Sequence, residues 1–148
     1  VAFLNLFNGI FGCFFPESGY CYQSAIPELN GYKLVDAKCE KQVLIVIGLK
    51  DGKYDRFVMR FSKDWSEYDV RKVENINFTG LNFTVLDNEL CVSLNEEEEI
   101  EIFSGKKDAT SVKVVKDNVI DSDMRLCHIE SQVCFANGTK LYKMSMRN

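Results

Sequence analysis

Val43-Leu44-Ile45-Val46-Ile47, then Asp51-Gly52, then Arg56-Phe57-Val58-Met59-Arg60-Phe61 is the stretch on which the fold turns. Two runs rich in β-branched and aromatic residues flank a dipeptide suited to positive φ, the pattern of an antiparallel hairpin. The plan recurs twice. Leu90-Cys91-Val92-Ser93-Leu94 leads through an acidic turn at Glu96 to Glu99 into Ile100-Glu101-Ile102-Phe103. Val133-Cys134-Phe135-Ala136 leads through Asn137-Gly138 into a strand from Lys140 to Met146. Asp51-Gly52 and Asn137-Gly138 read as equivalent corners, each a two-residue loop.

Outward from the hairpins, a further strand precedes each one: Tyr32 to Cys39, Leu81 to Leu86 and Met124 to Ile129. A fourth strand follows the first two hairpins, at Glu67 to Val73 and at Ser111 to Val115, and the third copy stops after its third strand. No stretch keeps a helical period, so the sequence predicts an all-β fold of four-stranded antiparallel repeats, each of roughly 43 to 49 residues. The chain divides into an apolar N-terminal segment, 1–31, which supplies strands or an interface, and repeats at 32–80, 81–123 and 124–148.

The strand order and period resemble β-propeller blades over residues 32–148, about 2.7 units. The likeness is architectural. No Trp-Asp dipeptide, kelch-type double glycine or sialidase Asp-box occurs, and Asp64-Trp65 has the reverse order. A β-trefoil, which closes three four-strand units in about 150 residues, is the alternative. The texture of Asp51-Gly52-Lys53-Tyr54-Asp55-Arg56-Phe57, of Asn82-Phe83-Thr84-Val85-Leu86 and of Gly138 to Met146 resembles propeller-bearing structural proteins of tailed-phage tails, such as nozzle or adaptor components. That resemblance implies a non-catalytic channel or hub part of a virion, docked onto neighbouring protein chains in a homo- or hetero-oligomeric assembly. The trefoil alternative implies a self-contained glycan- or receptor-binding protein.

The formal charge is −4, and no run of Lys and Arg exceeds two residues, as at Lys106-Lys107. The electrostatic attraction that drives phosphate binding is therefore absent, and no nucleic-acid contact is expected. The six cysteines (Cys13, Cys21, Cys39, Cys91, Cys127 and Cys134) form no C-x-x-C pair, and several lie inside strand-like runs, as small buried hydrophobes do. Three N-x-[ST] sequons, at Asn77, Asn82 and Asn137, point the other way, toward a secreted glycoprotein with paired cysteines. Residues 1 to 16 carry no charge and are rich in Phe. They lack a basic n-region and fall short of the roughly 20 residues a bilayer-spanning helix needs, so a buried strand pair or a subunit contact is expected, not a transmembrane segment.

Imidazole chemistry must pass through His128, the one histidine. In a strand it points away from its neighbour Cys127, shares a face with Leu126, and is expected to be a half-buried strand residue. Cys134, across the hairpin, is the thiol that geometry leaves open to it. Zinc would want paired ligand spacings, and Cys127, His128 and Cys134 do not provide them. Asp121, Asp123 and the run Glu96 to Glu101 lack the EF-hand pattern and read as solvated loop acids. Tyr20, Tyr22, Tyr54 and Trp65 lie near turns, where aromatic side chains serve either packing or a binding surface. No catalytic, cofactor-binding or metal residue is assigned, no cofactor is expected, and a binding or assembly role is expected in place of an enzymatic one.

Overall fold

A computed structural model of the chain describes residues 2–7 and 9–145. It is all-β: four antiparallel sheets follow one another in chain order, each a meander of neighbouring strands. The first contains β1 (Ala2–Leu4), β2 (Ile10–Phe15) and β3 (Tyr20–Ala25), and a 3-10 turn at Pro27–Leu29 leads out of it. The second contains β4 (Lys33–Glu40), β5 (Val43–Lys50), β6 (Lys53–Phe61) and β7 (Tyr68–Ile76). The third contains β8 (Phe83–Val85), β9 (Leu90–Leu94), β10 (Ile100–Ser104) and β11 (Val112–Val115), and the fourth β12 (Arg125–Ile129), β13 (Gln132–Asn137) and β14 (Lys140–Lys143). The last strand, expected to run to Met146, ends at Lys143, and Met146 itself lies outside the described residues.

The sheets stack face to face, and the packing explains the texture of the deciding hairpin. A sheet with one wet face alternates apolar and polar residues, whereas a sheet covered on both faces is apolar at every position. The second sheet is covered on both faces. Leu44, Val46, Phe57, Met59 and Phe61 pack toward the first sheet with Phe11, Ile26 and Leu29. Val43, Ile45 and Val58 point the other way and pack with Phe83, Val85, Cys91 and Phe103 of the third. The far face of the third sheet repeats the arrangement, with Val92 and Ile100 against Met124, Leu126, Val133 and Phe135. Three apolar layers thus alternate with four sheets.

The strands expected of the N-terminal segment form a three-stranded sheet with its own place in the stack. One sequence expectation changes, since the two corners are not equivalent. Lys50 pairs with Lys53, which leaves Asp51 (φ 51°) and Gly52 (φ 75°) as a loop with two positive φ angles. In the other hairpin Asn137 pairs with Lys140, so the loop is Gly138-Thr139, with positive φ carried by Gly138 (59°). The register there is set by Val133 and Phe135, which must both face the third sheet, and Asn137 becomes the last strand residue with its amide turned to Asp121.

Candidate interaction surfaces

Polar side chains join the leading strands of successive sheets. Lys38 Nζ on β4 donates to the Phe83 carbonyl on β8 at 2.8 Å. Glu40 Oε1 accepts from the Thr84 hydroxyl at 2.9 Å and from the Val85 amide at 2.8 Å. From β8 the link continues to β12: Thr84 Oγ1 lies 2.5 Å from His128 Nδ1. Beside it, the Asn82 side chain accepts from the Leu126 amide at 2.9 Å and donates to the Met124 carbonyl at 2.6 Å. This clamp is incompatible with a glycan on Asn82, because both ends of its amide are in use between the third and fourth sheets.

Glu40, Thr84 and His128 contain the residue types of a nucleophile, a base and an orienting acid; the His128 and Glu40 side chains are 26% and 25% exposed, and the Thr84 between them is buried. The Thr84 side chain is 3% exposed and sits between its two partners. His128 does face the third sheet alongside Leu126, as its strand phase implies. The thiol left open to it is removed: Cys134 pairs across the hairpin with Cys127, and His128 with Val133, so both sulfurs lie on the opposite face. All six cysteines are free thiols here, with Cys13, Cys91 and Cys134 buried. Among the described residues no group of three or more His, Cys, Asp or Glu side chains is placed to hold a metal ion.

A second polar layer lies between the second and third sheets. Arg56, 3% exposed, holds Glu101 at 3.0 Å, and its Nε lies 3.0 Å from Glu96 Oε1. Arg71 approaches Glu101 at 3.5 Å while its guanidinium lies over the Phe103 ring. Arg60 bonds Asp69 at 2.8 Å and donates to the Ser104 carbonyl at 3.2 Å. The acidic run was therefore misjudged as a uniformly solvated tip: Glu97 and Glu98 are exposed, but Glu96 and Glu101 turn inward to neutralise Arg56.

Of the aromatics near turns, Trp65 packs in the first core layer against Phe11 and Phe61, and Tyr54 against Phe78. Tyr20 remains exposed beside Phe15. Asp121 and Asp123 make no joint site; Asp121 accepts from the Asp123 amide and from Asn137. Asp55 was not singled out by sequence reasoning. Burial would raise its pKa, but the Tyr32 hydroxyl at 2.5 Å, the Asn75 amide at 2.9 Å and the nearby Lys72 ammonium outweigh that and hold it below the usual carboxylate range. A carboxylate depressed in the folded state stabilises the fold above its unfolded pKa of about 3.9, and that stability is lost as pH falls through the folded value. Urea midpoints taken between pH 5 and pH 2 are therefore expected to fall less steeply in Asp55→Asn than in the parent; equal slopes would remove Asp55 as a source of the acid sensitivity.

Two apolar surfaces stand out. On the first sheet Phe11 and Cys13 face the core, which sends Phe3 and Phe14 to the outer face, each 40% exposed. The Phe3 ring lies directly over Gly12, where an added Cβ would come within 2.1 Å of it, so glycine is needed for that close approach. Leu6 and Phe7 in the following turn are 42% and 99% exposed. The other surface is a cavity of about 490 Å³ between the third and fourth sheets, walled by Ile102, Val115, Val119, Ile120, Tyr142 and Met144, with Lys113, Asp117 and Lys143 also lining it. Among the described residues no helix is long and apolar enough to cross a membrane. Neither protein-family models, nor curated proteins, nor solved structures gave a match to this chain.

Proposed function

We propose that the chain is a non-catalytic interaction module of a larger propeller-containing assembly, such as a phage tail component, in which blade-like sheets pack against sheets of other chains. The observation that carries the reading is the outer face of the first sheet. Three apolar layers are each closed by a pair of sheets, whereas Phe3 and Phe14 on the outer face of the first sheet, with Leu6 and Phe7 in its first turn, present apolar area to solvent. Contiguous exposed apolar area on a folded protein marks an interaction surface. The polar clusters favour a structural role as well, since Glu40 and His128 both meet Thr84, and Arg56 bonds Glu101, across sheets.

Deleting residues 1–15 would remove Phe11, which stacks on Phe61 with ring centroids 4.6 Å apart, and so would damage a core layer along with any interface. Phe3→Asp with Phe14→Asp changes the outer face and leaves the core-facing Phe11 and Cys13 in place. Light scattering of the parent chain is expected to show an assembly well above 17.0 kDa, or a co-purifying polypeptide. The double variant is expected to be monomeric with unchanged β-sheet circular dichroism. A parent that stays monomeric and captures no chain at any concentration would overturn the proposal and turn attention to a self-contained glycan or receptor binder.

A further inference from the structure

We propose that Cys127 and Cys134 are a reversible redox pair: a disulfide oxidant closes a bond between them across β12 and β13, and a thiol reductant reopens it. No C-x-x-C spacing marks the pair in the sequence, and the hairpin register creates it. Cys127 stands directly opposite Cys134, with the tight Glu130-Ser131 turn closing the hairpin. Among the described residues no other cysteine stands opposite a cysteine in a strand pair. Cys13 is paired with Ala2 and Tyr22, Cys21 with Phe14, Cys39 with Leu44, and Cys91 with Val85 and Phe103.

Directly opposed residues of an antiparallel pair project to the same side, and here that side is the outer face of the fourth sheet, because Leu126, Val133 and Phe135 take the inner one. The Met144 amide donates to the Val133 carbonyl at 3.0 Å, so the backbone polar groups of Val133 point to β14 and those of Cys134 point to β12. Cys127 and Cys134 are thus a hydrogen-bonded pair, in which Cα atoms stand about 5.5 Å apart, inside the roughly 4.4 to 6.8 Å that a disulfide spans. The Cβ atoms make the tighter demand. Opposed residues of this kind hold them about 5.5 Å apart, whereas a disulfide takes about 3.5 to 4.5 Å, so the two strands must pinch together. Strain of that kind makes the bond easier to reduce, which places it among labile disulfides and not among permanent staples.

The two thiols differ in access, and this sets the order of events. Cys127 is exposed and Cys134 is buried. With oxidised glutathione as the oxidant, the Cys127 thiolate attacks one sulfur of the glutathione disulfide, that bond breaks, and one glutathione leaves and takes up a proton. The Cys134 thiolate then attacks Cys127 Sγ, the second glutathione leaves and is protonated, and the Cys127–Cys134 bond forms. Two protein thiols lose two electrons and two protons, and one glutathione disulfide becomes two thiols. In the reduced chain the Cys134 thiol donates to the Gln132 carbonyl at 3.8 Å, a weak hydrogen bond that the disulfide gives up. The consequence is a lock on the β12–β13 hairpin that is closed in an oxidising compartment and open in a reducing one.

The test uses the full chain, purified with its thiols reduced and then held in roughly millimolar oxidised glutathione. Peptide mapping without reductant is expected to find Cys127 joined to Cys134, with no glutathione left on either. Amide exchange in β12 and β13 is expected to slow about tenfold while β5 and β6 stay as in the reduced chain, and to recover in roughly millimolar reduced glutathione. Cys134→Ser is expected to stop at a glutathione adduct on Cys127, and Cys127→Ser, a change at the exposed position, to leave Cys134 unmodified. A lasting adduct on Cys127 in the parent would overturn the proposal, because the strands would then be holding the sulfurs apart. So would a Cys127 that does not react, a bond from either residue to a different cysteine, or a Cys127–Cys134 bond that reduced glutathione leaves closed. Native mass plays no part in these readouts, so failure here is distinguishable from failure of the assembly reading.

Discussion

Glu101→Ala is expected to cost about 3 to 5 kcal/mol, the usual penalty for leaving a buried charge without its partner. Arg56 is the reason. It projects from β6 toward the third sheet with its side chain 4% exposed, and Glu101 on β10 is the carboxylate that meets it at 3.0 Å. Removing that carboxylate leaves Glu96, whose contact with Arg56 Nε is close but out of line for a hydrogen bond, and strands Arg71 as well. In a chain of this size the loss corresponds to a fall of roughly 6 to 20 °C in Tm. Arg56→Met with Glu101→Leu is expected to recover most of it, because two apolar residues of similar volume need no pairing. Thermal unfolding of the single and double variants decides the matter. A Glu101→Ala protein within about 1 kcal/mol of the parent, the range of an exposed ion pair, would mean that water reaches Arg56 in solution.

The arginines carried a signal that the sequence reading passed over. Arg56 and Arg60 stand two residues on either side of Val58, on one face of the otherwise apolar run 56–61, and a cation in such a run needs a carboxylate across the layer. Glu101, between Ile100 and Ile102, is the corresponding anomaly in its own strand. Pairing the two required knowledge of which sheet lies against which, and no local pattern contains that. Glu40, Thr84 and His128 were equally out of reach, since each looks ordinary in its own strand and the three meet only through the stacking of three sheets.

The sheets themselves were easier. Continuous apolar runs at β5 and β6 and clear turns defined the repeats, and the predicted leading and trailing strands match the observed ones within a few residues. The first sheet was not recognised as a unit because its strands lack the usual contrast: Phe11 and Cys13 face the core while Phe3 and Phe14 face outward, so apolar residues fall on both sides and no period stands out. The reason for missing the sheet is therefore the same apolar outer face that supports a docking role.

Phe57→Ala is the second large effect, at about 3 to 5 kcal/mol for a fully buried aromatic. Phe57 is 1% exposed, faces the first sheet, and meets the Tyr32 ring edge-on at 5.0 Å. Lys72 lies over both rings, so truncation opens a cavity beneath a cation and beside the Tyr32–Asp55 hydrogen bond. Where the loss is felt matters more than its size. A stack in which each sheet touches only its neighbours behaves as a near one-dimensional array, and the end unit detaches at less cost than the whole unfolds. The first sheet is such an end, held by Phe11, Ile26 and Leu29 against the layer that Phe57 fills. Amide exchange in β2 and β3 is accordingly expected to rise first in Phe57→Ala, with β9, β10 and β13 close to the parent. Phe57→Leu, which keeps most of the volume, is expected to cost less than about 1.5 kcal/mol and to leave that pattern intact. Uniform loss of protection across all four sheets would show instead that they unfold as one cooperative block, with the cross-sheet clamps of Glu40, Asn82 and Arg56 strong enough to carry damage from the first layer to the last.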